Sequence, residues 1–340
     1  MIDPADLEAC RAAIRHGSKS FDAASRLLPA RVRDPALALY AFCRLADDAV
    51  DLNAEKSAAV LSLADRLERA YAGRPVDHPA DRAFGAMVQE HDLPRALPEA
   101  LLEGFAWDAE GRRYATLSDL RSYAARVAAA VGAMMTVLMG RREADTLARA
   151  CDLGVAMQLT NVARDVGEDA AEGRLYLPLD WLAAAGIDPD AFLADPRPSP
   201  ALGDVVRRLL AEADRLYLRA EAGIAALPAG ARPAIFAARL IYAEIGAKVR
   251  AAGCDSVSGR AITSRRRKLA LLGQAVARAG LASVAPRSAV LHAAPLPETA
   301  FLVAAAGRAA RPARAEALTE IFASLRRRDA ERARAFSPQV

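Results

Sequence analysis

The order of apolar and polar positions predicts helices along nearly the whole chain, because the strict alternation that marks strands is almost absent. Two helices open with an Asp-Pro pair, at Asp3-Pro4 and Asp34-Pro35, where Asp caps and Pro takes the first turn. The predicted helices span 3–15, 34–52, 56–71, 80–92, 97–108, 119–139, 143–170, 201–226, 231–252 and 260–279. A short helix from Asp180, a loop over 186–200 and a terminal helix over 311–334 complete the pattern.

The helix predicted over 119–139 is apolar nearly all round, which is typical of a helix buried at the centre of a protein. It is also rich in alanine and other small residues. Small side chains either let neighbouring helices approach closely or leave room for a long apolar ligand. Close packing is the simpler explanation for any single position.

Composition supports an all-α fold, since the chain is 53% hydrophobic, only 5% aromatic and rich in the helix formers Ala, Leu and Arg. Its 340 residues fit one large helical domain. The sequence pattern changes after Leu281, because residues 282–299 contain three prolines and lack a helical period. We therefore expect a catalytic domain over 1–281 and a C-terminal appendage of unknown role over 282–340.

Charge and cysteine usage narrow the classes of function. The 46 basic and 42 acidic residues are interspersed, with a net charge of +4, so nucleic acid is not an expected partner. The four cysteines lie far apart, which fits a reduced protein and neither a disulfide framework nor a zinc site. The N-terminus lacks the apolar core of a signal peptide, and the longest uncharged run, 127–140, is too short to span a bilayer. We expect a cytoplasmic protein, with peripheral attachment to the inner membrane as an open alternative.

One predicted helix carries a polar face among apolar neighbours. At roughly 100° per residue, positions 158, 161, 165 and 169 fall within an arc of about 80°. That face presents Gln158, Asn161, Asp165 and Asp169, with Arg164 beside them. Carboxylate and amide oxygens at this spacing suit Mg²⁺ shared with a substrate phosphate, and Arg164 suits a phosphate oxygen. The alternative is a solvated polar face.

A second helix repeats this character. Tyr40, Arg44, Asp47 and Asp51 fall within roughly 60° of one another on the helical wheel. Two acidic helices facing each other across a cavity can hold Mg²⁺ diphosphate between them. Lys19, in the polar break that follows the first helix, is a further candidate for phosphate contact, although taken alone it is more simply explained as part of an ordinary loop.

These motifs resemble those of the squalene/phytoene synthase family, of the bacterial carotenoid branch, over most of residues 16–270. The resemblance lies in the first aspartate motif at 40–51, the second at 158–169 and the Gly-Arg-x-Tyr-Leu-Pro element at 173–178. Further similar segments are 18–21, 238–242 and 260–268. One departure is the central helix, where the family's Tyr-Cys-Tyr-x-Val-Ala-Gly is replaced by Tyr123-Ala-Ala-Arg-Val-Ala-Ala129.

The resemblance implies a single-domain isoprenoid-synthase helical bundle around a central apolar cavity. It implies that two geranylgeranyl diphosphates are coupled head to head, through a cyclopropyl diphosphate, to phytoene. Mg²⁺ or Mn²⁺ is the implied cofactor and NADPH is not expected. The implied metal ligands are Asp47, Asp48, Asp51, Asn161, Asp165 and Asp169. The implied substrate-binding residues are Ser18, Lys19, Phe21, Tyr40, Arg44, Gln158, Arg164, Arg260 and Lys268.

The catalytic set implied in this way comprises Asp47, Asp51, Asp165, Asp169 and Tyr242. Diphosphate itself or the Tyr242 phenol is the candidate base, and Tyr242 is equally well explained as packing. Downstream carotenoid enzymes are candidate partners.

Three alternatives stay open at this point. A squalene-, dehydrosqualene- or hydroxysqualene-type synthase would use farnesyl diphosphate, and pocket depth would distinguish it. A terpene cyclase shares the metal chemistry but would not explain the elements at 173–178 and 260–268. A non-catalytic lipid-binding or assembly protein of the same fold should have lost acidic residues from the two motifs.

Overall fold

The computed structural model describes residues 1–17, 19–52, 56–286 and 288–307, without the side chains of 19–21, 46–52 and 56–57. All its regular elements within those ranges are helical. The α-helices are α1 Pro4–Gly17, α2 Lys19–Ser25, α3 Ala30–Leu52, α4 Lys56–Tyr71, α5 Pro79–His91, α6 Ala96–Ala109, α7 Leu117–Ala124, α8 Ala130–Leu138, α9 Ala144–Arg164, α10 Val166–Ala171, α11 Leu179–Ala184, α12 Pro189–Ala194, α13 Pro200–Ile224, α14 Arg232–Ala251, α15 Arg265–Val284 and α16 Ala300–Ala306. A π-helical turn, Ala125–Ala129, joins α7 to α8, and 3₁₀ turns occupy Ala289–His292 and Pro297–Thr299.

The predicted all-α fold is confirmed, and several predicted boundaries are wrong. Helix α3 begins at Ala30, with Pro35 inside it, because Pro29 O accepts the amide hydrogens of Val32 and Arg33 and starts the helix early. Helix α15 begins at Arg265 instead of residue 260, since the Ser264 side chain caps it by accepting from the Arg267 amide. The segment 186–200 contains α12, capped by Asp188, where only a loop was expected.

The core is arranged around α9, which packs against α8, α13 and α14. Close approach of α9 to the central helix depends on a glycine. A Cβ on Gly154 would lie 2.6 Å from the Cα of Ala129 in the π-helical turn. The central segment 120–138 is largely buried, as its sequence predicts. Its small side chains therefore serve helix packing at this contact.

Two hydrophobic clusters make up the interior. The larger contains residues of α1, α3–α14 and α16, and the smaller contains residues of α2, α3, α13, α14 and α15. Met135 of α8 packs against both clusters, so it lies between them.

The segment after α15 is joined to the core through buried charge. Arg149 of α9, 0% exposed, donates to the carbonyl oxygens of Val290 at 2.6 Å and Ala294 at 3.3 Å. Asp152, also fully buried, forms an ion pair with Arg149 Nε at 2.8 Å and accepts a hydrogen bond from Arg219 of α13 at 2.9 Å. Arg219 also donates to Ala294 O at 2.7 Å. Residues 288–307 thus pack on the core, whereas the terminal helix predicted over 311–334 lies outside the described residues.

None of the described helices combines the length and the apolar character needed to cross a bilayer.

Candidate active site

The second acidic segment contains a break that its sequence did not predict. The helix expected over 143–170 is interrupted at Asp165, whose φ and ψ are −103° and 14°. The amide of Asp165 still donates to Asn161 O, and that of Asp169 to Asp165 O. Because these i→i−4 bonds continue on both sides of the break, Asn161, Asp165 and Asp169 remain successive turns of one polar face.

Ser256 forms hydrogen bonds with backbone groups on both sides of the break at Asp165. Its carbonyl oxygen accepts from the Gly167 amide at 2.9 Å, and its hydroxyl donates to Ala163 O at 2.6 Å. Gly167 permits this contact, since a Cβ there would lie 2.8 Å from Val257 O. The loop before Arg260 therefore fixes the position of Asp165. Sequence reasoning missed Ser256, whose only signal was its place in a glycine-bounded turn.

Asp165 is held by two arginines. Arg164 Nε donates to Asp165 Oδ1 at 2.6 Å, and a terminal nitrogen of the same guanidinium pairs with Oδ2. Arg260 Nε lies 2.9 Å from Oδ1, and its Nη2 donates to Oδ2 at 3.3 Å. Both oxygens of Asp165 thus contact both guanidiniums, through three hydrogen bonds and one ion pair. Arg260 also pairs with Glu168 at 3.1 Å.

A phenol and two amides lie beside this carboxylate. Asn161 Nδ2 donates to Gln158 Oε1 at 3.4 Å, while the buried Asn161 Oδ1 has no hydrogen-bond partner among the described residues. Burial raises the pKa of Tyr242 on α14, with Asp165 and Tyr40 adding to the rise and Arg164 and a hydrogen bond with Asn161 opposing it. Tyr242 is therefore a neutral phenol at physiological pH.

Helix α3 also approaches this group of side chains, because nearby Tyr40 raises the pKa of Tyr242. Tyr40 and Arg44 are one turn apart on α3, and both lie against the end of α1. A Cβ on Gly17 would lie 2.4 Å from Tyr40 Oη and 3.4 Å from Arg44 Cδ. Tyr40 of α3 thus lies near Tyr242 of α14, which neighbours Asp165 at the end of α9.

Asp169 faces a third carboxylate on α6. Burial, and then the Asp165 carboxylate, raise the pKa of Asp169 to about 8, with Glu172 and Asp108 adding to the effect and Arg174 opposing it. Asp108 accepts hydrogen bonds from Tyr123 at 2.9 Å and Tyr176 at 2.8 Å. Sequence reasoning missed Asp108, because an acidic residue at a helix end is ordinarily solvated.

Known proteins resemble this chain over most of its length. The family model for squalene/phytoene synthase matches residues 14–271. The chain belongs to the squalene/phytoene synthase family. A phytoene synthase of Rhodobacter capsulatus is 60% identical over 97% of this chain and 98% of its own, and one of Cereibacter sphaeroides is 58% identical over 97% and 96%. A dehydrosqualene synthase solved with a ligand has a TM-score of 0.74 and 31% identity over 80% of this chain and 96% of its own.

The structure brings together part of the site that the squalene/phytoene synthase motifs predict. Tyr40, Gln158, Asn161, Arg164, Asp165, Asp169, Tyr242 and Arg260 lie in direct contact or in electrostatic reach of one another. Arg44 lies beside Tyr40, and Lys268 is partly buried in the first turn of α15. Ser18 and the side chains of Lys19, Phe21, Asp47, Asp48 and Asp51 lie outside the described residues, so their roles stay predictions.

Partly exposed apolar positions occur on two helices that pack against α9. On α8 and the turn before it they are Ala128, Val131 and Met135, and on α14 they are Ala238 and Ile235, one and two turns before Tyr242. The spacings of three and four residues place each set on one helical face.

Proposed function

We propose that the protein condenses two geranylgeranyl diphosphates head to head, through a cyclopropyl diphosphate, to phytoene. The relatives named phytoene synthase carry the proposal, because they are 60% and 58% identical over nearly the full length of the chain. The site supports it, since two arginines hold Asp165 close to helices with partly exposed apolar positions. Such a site can hold a diphosphate and a long isoprenoid chain at once.

The residues fit a divalent cation. Asn161 Oδ1 is buried and without a hydrogen-bond partner in the described part of the chain, and the adjacent Asp165 and Asp169 supply hard oxygen donors. Two carboxylates this close raise the pKa of one of them, an effect that a bound cation reverses. We propose that Asn161, Asp165 and Asp169 hold Mg²⁺, or Mn²⁺, together with Asp47, Asp48 and Asp51. Bound metal supplies charge neutralisation to the departing diphosphate.

Arg164 and Arg260 bind diphosphate oxygens in this proposal. Both guanidiniums already converge on Asp165, and their planar donors suit phosphate as well as carboxylate. Arg44, Lys19 and Lys268 add positive charge, and Ser18, Phe21, Tyr40 and Gln158 shape the polar end. The allylic C–O bond breaks as its electron pair leaves with diphosphate, and the carbocation stays on the apolar side, away from water.

Tyr242 serves as a neutral hydrogen-bond donor. Its raised pKa makes a phenolate base unfavourable at physiological pH. The released diphosphate, held beside the cation, is the better base for the final deprotonation. Two ionisations and one rearrangement give the hydrocarbon without hydride, so NADPH is not required.

Incubation of the purified protein with Mg²⁺ and either geranylgeranyl or farnesyl diphosphate tests the function. Each substrate is supplied with and without NADPH, and the hydrocarbon is identified by mass. We expect a C40 product from geranylgeranyl diphosphate without NADPH. A C30 product alone would favour the farnesyl alternative, which the likeness to a dehydrosqualene synthase raises. No product from either substrate would favour a lipid-binding or assembly protein.

Localisation follows from the substrates in this proposal. Geranylgeranyl diphosphate has a long apolar chain, and phytoene is wholly apolar. We propose a cytoplasmic protein that attaches peripherally to the inner membrane, where it can pass phytoene to downstream carotenoid enzymes.

A further inference from the structure

Helix α15 has two apolar faces, and only one of them packs on the protein. Leu271, Ala275 and Ala279 are buried against the smaller hydrophobic cluster. On the opposite side the exposed residues are Leu269, Ala270, Gly273, Val276, Ala277, Gly280, Leu281 and Val284. We call these eight residues the α15 stripe. Its larger members are 61%, 52%, 65% and 84% exposed at 269, 276, 281 and 284.

The α15 stripe is continuous and long. At 100° per residue its members fall within an arc of about 140°, and from 269 to 284 it extends about 22 Å along the helix axis. Single exposed apolar residues are ordinary, whereas a contiguous apolar face marks an interaction surface.

The charge of α15 indicates what kind of partner the α15 stripe binds. Residues 265–284 contain five basic residues and no acidic one, although basic and acidic residues are nearly balanced in the whole chain. Arg267 pairs with Glu244 at 2.9 Å and Arg278 with Glu221 at 2.7 Å. Arg265 and Arg266 are exposed, and neither pairs with a carboxylate within the described ranges. An amphipathic helix with unpaired arginines at one end fits the surface of an anionic bilayer.

The C-terminal tail and a second copy of the chain are less compatible with the positive charge of α15 than an anionic membrane is. Residues 308–340 contain eight arginines and four acidic residues, so this tail has the same sign of charge as α15. A second copy of the chain would present another α15 that contains no acidic residue to pair with these arginines. Anionic lipid complements both the apolar stripe and its basic end.

We propose that the α15 stripe, with Arg265 and Arg266, is the surface by which the protein lies on an anionic membrane. This inference rests on the proposed function, which supplies a reason for contact with lipid. The basic end of the stripe directly follows the segment that carries Arg260, which holds Asp165.

Vesicle co-sedimentation tests the surface in the full-length protein. Vesicles of phosphatidylcholine alone are compared with vesicles that also contain phosphatidylglycerol. A triple variant, Leu269→Gln with Val276→Gln and Leu281→Gln, is expected to bind anionic vesicles at least tenfold more weakly than the parent. Leu218→Gln is the matched control, because Leu218 is 67% exposed on α13, outside the stripe, and should leave binding unchanged. Equal binding by the parent and the triple variant would overturn the proposal.

A second measurement identifies the occupant. A polarity-sensitive fluorophore on Val276→Cys is expected to shift to shorter wavelength only when anionic vesicles are added. A short-wavelength signal in the free protein would assign the stripe to the tail or to a second copy, and would contradict the proposal. Phytoene formation from detergent-dispersed substrate separates the two hypotheses. The triple variant should keep that activity, whereas failure of the proposed function would remove it from the parent as well.

Discussion

Asp165 is the residue on which most of the candidate site converges. It receives Arg164 and Arg260, and it raises the pKa of Asp169. Its position depends on a backbone break that Ser256 stabilises from another segment. Because Asp165 makes this many charged contacts, we expect the loss of its charge to impair the candidate site.

Asp165→Asn is expected to lower kcat by about 10²–10³-fold, because charge stabilisation at the departing diphosphate is lost. Asp47→Ala should have a similar effect if the first motif holds metal as predicted. Circular dichroism should show an intact fold in both variants. Asp204→Asn, in an exposed pair with Arg207, is the control and should retain full activity. Full activity in Asp165→Asn would count against the metal assignment.

Asp169 should make the stability of the metal-free protein depend on pH. Its pKa is raised from 3.8 to about 8, so the folded state holds a proton that the unfolded state releases. The stabilisation is complete below about pH 4 and is lost as the pH rises toward 8. Asp169→Asn does not titrate. In EDTA, the Tm of Asp169→Asn minus the Tm of the parent should therefore increase by about 2 °C or more between pH 5 and pH 8.

The control for this measurement is again Asp204→Asn, whose Tm difference from the parent should not change with pH. A constant difference for Asp169→Asn across the same range would show that Asp169 is already ionised in the folded state.

At the scale of helices, close packing around α9 limits which side chains are tolerated. Gly154→Ala would force a Cβ to within 2.6–2.8 Å of the backbone at 128–129. We expect a loss of about 1–3 kcal/mol in the free energy of unfolding, measured by denaturant titration. Gly273→Ala is the matched control on α15, since its Cβ would meet nothing within 4 Å. That variant should gain roughly 0.5–1 kcal/mol from helix propensity. Equal effects would show that helix propensity, not packing, governs both positions.

The helices themselves were largely predictable from the sequence, and their ends were not. The length and apolar character of α4, α9 and α14 are local properties, so pattern and capping signals found them. The break at Asp165 depends on Ser256, about ninety residues away, and no local pattern reports such a contact. The polar face at 158–169 was predictable because helical spacing alone places its residues together. The pairing of Asp108 with Tyr123 and Tyr176 joins three separate segments and was not predictable in this way.

At the scale of the molecule, Arg149 connects the segment 288–307 to the helix that carries Asn161. Arg149→Met would leave Asp152 buried with one partner fewer and the carbonyls of Val290 and Ala294 without this donor. We expect a loss of about 3–5 kcal/mol in the free energy of unfolding. Arg207→Met is the control, and its exposed pair should change stability by less than about 0.5 kcal/mol. Similar losses in the two variants would show that the buried pair contributes no more than a surface one.

The contacts of Asp165 bear on how metal and diphosphate would bind under the proposed function. Both of its oxygens contact guanidiniums, so Mg²⁺ and the two arginines would compete for the same carboxylate. An arginine displaced by the cation would become available to an oxygen of the incoming diphosphate. The two ligands would therefore favour each other's binding, and by thermodynamic reciprocity the factor by which one improves the other's affinity must be the same in both directions.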